Sequence, residues 1–179
     1  MGTLALALAL AQGAASPQPA ASEPREAPVA IQKLEAPGAQ VFYLSIPWGP
    51  ETFATMERPG DGFYNRRAWP FARMETQKPL TLDGTFLPPG NYALLFHPAT
   101  LEERTMSLEV RRIAMGEFLE PGNVMTKAPE GETLWRAPVR FDTAAGTSPS
   151  LKIDVLPGKA SFQLKFQYGD HWTTKEFRY

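Results

Sequence analysis

Apolar and polar positions alternate along most of this chain with a period of two. In the central stretch, Leu80 and Leu82 alternate with Thr81 and Asp83, and Tyr92, Leu94 and Phe96 alternate with Asn91, Ala93 and Leu95. A two-residue period with aromatic enrichment predicts strands that each turn one face to a core. Asp83-Gly84 tolerates positive φ, and Pro88-Pro89-Gly90 fixes one φ and frees the next, so the chain is expected to reverse direction at both points.

The same pattern recurs elsewhere. Val29 to Leu34 and Gln40 to Ile46 read as strands, the second with Phe42, Leu44 and Ile46 inward. Glu51 to Ala68 holds no period for long and contains Pro59-Gly60-Asp61-Gly62, so it reads as a long loop with a short strand at most, and as the place where surface chemistry is expected. Ala99 to Arg104 suits one helical turn. Thr105 to Ile113 returns to alternation with Met106, Leu108 and Val110 inward, although a helix competes there. Ala114 to Glu132 reads as loop with a short helix at Met115 to Leu119. Leu134 to Asp142 and Ser150 to Leu156 give further strands, with Trp135 expected in the core. The clearest strand is Ala160 to Tyr168, with Phe162, Leu164, Phe166 and Tyr168 on one face. Gly169-Asp170 is then expected to turn the chain into a last hairpin with His171 to Tyr179. Eight or more short strands without a long amphipathic helix predict an all-β fold, an antiparallel β-sandwich or jelly roll.

Composition agrees. Eighteen prolines and fourteen glycines suit turns and strand edges better than helix interiors. A chain of 179 residues with 43% hydrophobic content supports a single domain with a full core. The segment Met1 to Ala15 opens on a Leu-Ala run too short to span a bilayer and ends in small residues. It reads as a secretory signal peptide, although no Lys or Arg precedes the run. Ser16 to Pro28 is a Pro/Ala-rich linker, and 29–179 is the expected β domain. The mature protein is thus expected to be exported, to the periplasm or the extracellular space, with no membrane span. Eighteen basic and nineteen acidic side chains leave a net charge of −1, which gives no field to gather nucleic acid. The absence of cysteine excludes disulfides, thiolate metal sites and thiol catalysis.

The run Leu80-Thr81-Leu82-Asp83-Gly84, followed by Leu87-Pro88-Pro89-Gly90-Asn91-Tyr92-Ala93-Leu94-Leu95-Phe96-His97-Pro98, resembles the bacterial domain-of-unknown-function family numbered 2911. The resemblance continues weakly in Phe162 to Asp170. It implies an exported β-sandwich and no particular reaction. Members commonly carry Trp-Arg and then a Gly-Ala-Asn-Glu run before the central strands, whereas this chain reads Tyr64-Asn65-Arg66-Arg67-Ala68-Trp69-Pro70.

Candidate chemistry is sparse. The two histidines, His97 and His171, each lie beside a turn, and placing both at one rim would allow an acid-base pair. Without a spaced third ligand they define no metal site, and no cofactor is expected. No Gly-x-Ser-x-Gly elbow or His-Glu-x-x-His pair is present. The aromatic residues are more suggestive. Trp48, Tyr64, Trp69 and Trp172, with Arg66, Arg67, His97 and His171 nearby in turns or loops, suit a carbohydrate, a peptide or an envelope protein, because a ring covers an apolar face while polar neighbours orient the ligand. For any one of these rings, plugging an end of the sandwich is the more ordinary role. The leading expectation is a non-catalytic exported binding protein; the alternative is a small hydrolase with a rim site near His97 and His171.

Overall fold

The computed structural model describes residues 29–60, 68–114 and 128–179. Ten strands and one short helix occupy these residues in the order β1 (Ile31–Ala36), β2 (Ala39–Leu44), α1 (Pro50–Glu57), β3 (Trp69–Thr76), β4 (Leu80–Leu82), β5 (Thr85–Leu87), β6 (Gly90–His97), β7 (Ser107–Ile113), β8 (Glu132–Pro138), β9 (Asp142–Pro157) and β10 (Ser161–Arg178). They form two antiparallel sheets, one ordered β1-β2-β3-β6-β7-β8 and the other β5-β4-β10-β9. The expected β-sandwich is therefore what the chain builds.

The layers meet where the alternation placed them. Phe71 of β3 and Phe96 of β6 stack with ring centroids 4.3 Å apart, and Phe166 of β10 meets them edge-on at 5.4 and 6.1 Å. Each ring is at most 8% exposed. Burying such a side chain is worth ~1.5–3 kcal/mol, so this cluster is the main tie between the sheets. Tyr92, Leu94, Leu108, Val110 and Trp135 join the same interior.

β10 is a hairpin within one element. Phe162 and Phe177 stack at 5.3 Å, and Tyr179 N–H donates to Ala160 O at 3.1 Å. At ~3.4 Å per residue a straight strand would carry those rings far apart, so the chain doubles back, and Gly169 with φ of 62° makes the turn possible. Asp83 (φ 46°) and Gly84 (φ 84°) likewise close the β4–β5 hairpin expected there.

Four expectations are corrected. In β2 the inward residues are Val41 and Tyr43, while Phe42 faces out, beneath the Arg73 guanidinium at 4.6 Å and Lys33 Nζ at 5.8 Å. A cationic cover satisfies a ring on the outer face, which hydrophobic alternation alone cannot show. The Pro88-Pro89-Gly90 turn does not join paired strands; it carries the chain from β5 in the small sheet to β6 in the large one. Glu51 to Glu57 belongs to a helix, not to a loop. Pro50 starts it with a pre-set φ, and Phe53 and Met56, three residues apart on one face, are buried. β9 begins at Asp142, well before the Ser150 expected. The Ala99 to Arg104 turn forms, with Arg104 N–H donating to Thr100 O at 2.9 Å. The expected short helix at Met115 to Leu119 lies outside the described residues, as does most of the Ala114 to Glu132 stretch.

Candidate functional site

The expected aromatic and basic residues do not converge on one surface. Tyr64, Arg66 and Arg67 lie outside the described residues. The other five fall in four places.

Trp48 and His171 meet at the end of the sandwich, beside α1. Trp48 packs on Tyr168 at 4.7 Å, Phe53 at 5.6 Å and His171 at 5.8 Å, and His171 sits 4.3 Å from Phe53. Tyr168 Oη donates to Pro47 O at 2.7 Å and accepts from Gly49 N–H at 3.2 Å, which clamps the Pro47-Trp48-Gly49 corner. A Cβ on Gly169 would stand 2.2 Å from the Trp48 ring, so the indole lies directly on the hairpin backbone. Trp48 is thus a plug. His171 Nδ1 is 2.7 Å from Asp170 Oδ1, but the angle is not that of a hydrogen bond. Trp69 lines a cavity of about 50 Å³ between the layers, walled by Phe53, Met56, Phe71, Phe96 and Phe166. Such an apolar space, with room for little more than a water, stays dry and suits no ligand of sugar or peptide size.

His97 sits on the outward face of the large sheet, because it follows the inward Phe96. Its Nε2 lies 2.5 Å from Glu109 Oε2 of β7. Glu109 Oε1 accepts from Arg111 Nε at 2.7 Å and from Thr133 Oγ1 at 2.6 Å, and Arg111 Nη1 donates to Pro129 O at 2.8 Å. Glu109 is 1% exposed. Burial pushes its carboxyl pKa up, but the hydrogen bonds from His97, Arg111 and Thr133, with the Arg111 charge, outweigh that and bring it down to about 2. An ionised carboxylate can only accept, so His97 carries its proton on Nε2. Sequence reasoning missed this network, because Glu109 occupies an outward position in the β7 alternation and nothing local marks it as covered. The large sheet separates His97 from His171, and the structure does not bring the two histidines into one rim site.

Trp172 lies on the outer side of the small sheet. There β9 loses register with β10 and bends around the hairpin tip, pairing Ser148 with Gly169 and Thr143 with His171. The bend leaves an open groove of about 560 Å³, bounded by the 143–148 backbone and by Lys152, Lys165, Gln167 and Trp172. Gln167 Nε2 donates to Gly146 O at 3.0 Å and to Gly169 O at 3.2 Å, which fixes the bend to the tip. Lys165 Nζ rests 4.8 Å from the Trp172 ring centre, a contact worth ~0.5–1 kcal/mol between partly exposed groups. Lys152 Nζ pairs with Asp154 Oδ2 at 2.9 Å. The outward row Lys165 and Gln167 was legible as polar, but its assembly with Trp172 depends on the bend in β9.

Among the described residues there is no group of three or more His, Asp or Glu side chains placed to hold a metal ion. No helix of the described residues is long and apolar enough to cross a membrane. Comparison with protein-family models, curated proteins and solved structures finds no match for this chain.

Proposed function

We propose that this chain is an exported, non-catalytic β-sandwich protein that binds a carbohydrate on the outer side of its small sheet, with Trp172 as the stacking platform. The observation that carries the reading is the groove itself. A partly exposed indole lies beside two ammonium groups, an amide and the 143–148 segment, in an open groove of about 560 Å³. A sugar ring offers an apolar face and a rim of hydroxyls, and this combination matches both. A peptide or an envelope protein would call for an apolar pocket at the same place, and the groove supplies polar groups around a single ring. Export rests on the Leu-Ala run and the Pro/Ala-rich linker at the N-terminus. A hydrolase built on His97 and His171 draws no support from their placement on separate surfaces.

The test is a glycan panel presented to the purified protein and to Trp172→Ala. Binding that the substitution removes, with the melting temperature unchanged, is the expected result. A panel without a single ligand, or one whose ligands ignore Trp172→Ala, would overturn the reading.

A further inference from the structure

We infer that the saccharide taken by this groove is anionic, a uronate-containing chain in which a ring carboxylate meets Lys165 while the ring covers Trp172. The inference rests on the carbohydrate reading above and adds the charge of the ligand.

The groove wall includes two lysines and no carboxylate, while Asp154 and Asp142 stand beside it as the cross-strand partners of Lys165 and Trp172. The two lysines differ. Lys152 already has an acidic neighbour in Asp154, at 2.9 Å. Lys165 has no ion pair among the described residues; its ammonium lies over the Trp172 ring, 4.8 Å from the centre. In the free protein the indole face is therefore occupied by a cation. A neutral sugar that stacks on this ring must displace the ammonium and offers it only uncharged hydroxyl acceptors. A uronate supplies a carboxylate close to the plane of the stacked ring, so the ammonium moves from the indole face to a charge-assisted hydrogen bond at its edge, and the face is freed in the same step. Lys165 thus acts as a gate that favours anionic rings. The lysine stem has the length to make that short movement without any change in the strand. Gln167, tied to Gly146 O and Gly169 O, holds the opposite wall in place and contributes no charge.

The experiment is isothermal titration calorimetry of the full chain with an oligogalacturonate, with the matching neutral galactose oligomer and with oligoglutamate. Each is also titrated into Lys165→Gln and Trp172→Ala, after circular dichroism has confirmed the fold. The uronate oligomer is expected to bind about tenfold or more tighter than the neutral one, to lose that advantage in Lys165→Gln, and to weaken as salt is raised. Trp172→Ala is expected to weaken both sugars. A neutral oligomer that binds as tightly as the uronate, or a Lys165→Gln variant that keeps the preference, overturns the inference and leaves the carbohydrate reading standing. Oligoglutamate binding as tightly as the uronate, with the same loss in Lys165→Gln, overturns the saccharide assignment. Sugar binding that survives Trp172→Ala intact overturns both, and no binding of either sugar overturns the inference and leaves the carbohydrate reading to the glycan panel. Lys165 occupies an outward strand position, so its variant decides the question even if Trp172→Ala fails to fold.

Discussion

The outer faces of the two sheets have opposite characters. On the large sheet part of the outward face is itself covered: Ala93, Leu95 and Ile113 form a small second core with Ala68 and Ala128, and beside it Glu109 is buried in a closed set of hydrogen bonds. On the small sheet the outward residues Lys165, Gln167 and Trp172 border open space. A buried charge is tolerable only when each of its acceptor sites is engaged, and Glu109 meets that condition with partners from three strands. An aromatic ring and an ammonium that engage only each other at the surface carry no such requirement, and their contact is weak enough to be exchanged for a ligand. The more chemically suggestive pair in the molecule, His97 with Glu109, is thus explained by stability, and the plainer groove is the better place to look for binding.

This contrast predicts a ranking of substitutions. Glu109→Ala leaves Arg111 and His97 without their buried acceptor and is expected to destabilise by about 3–5 kcal/mol in urea unfolding, with no change in ligand binding. Gly169→Ala is expected to cost about 3 kcal/mol, from the strained left-handed backbone and the collision with Trp48, and to shift the emission of that partly buried indole.

Acid provides a milder probe of the covered face. The Glu109 carboxyl has a folded pKa of about 2 against an ordinary 4.5. A depressed carboxylate stabilises the fold fully above its unfolded pKa and loses that contribution as pH falls through the folded value. Stability is therefore expected to drop by about 3 kcal/mol between pH 4.5 and pH 2. The surface carboxylates Glu35, held low by Lys33, and Glu176, held low by Arg178, titrate in the same direction. Comparing wild type with Glu109→Gln isolates the buried share: the variant should show a flatter acid limb, and an identical limb would contradict the assignment. The smallest expected effect belongs to the open face, where Lys165→Gln should alter stability by no more than about 0.5 kcal/mol.

Much of the fold could be read from alternation because the interlayer contact is built from consecutive inward rows. Phe162, Leu164 and Phe166 lie inside as their spacing requires, and so do Tyr92, Leu94 and Phe96. Alternation failed where something other than the opposite sheet covers a side chain. Phe42 is sheltered by Arg73 from a neighbouring strand, and Ala93 and Leu95 are buried on the side expected to be polar. It also failed for α1, where two turns of helix give too few repeats to display a period of 3.6. Of the candidate residues, Trp172 kept a surface position, whereas Trp48 became a plug because the last hairpin folds back onto it through Gly169. Neither outcome is local. The groove exists because β9 bends around a hairpin tip that is distant from it in sequence, and single-residue patterns carry no record of that meeting.

The central claim is that one outer face holds the fold and the other meets the ligand. Amide chemical shifts of the labelled protein, followed as the oligogalacturonate is added, test it most directly. The account predicts perturbations confined to 143–148, Lys152, Lys165, Gln167 and the Trp172 indole. Perturbations centred on His97, Glu109, Arg111 and Thr133, with the Trp172 signals unmoved, would contradict it.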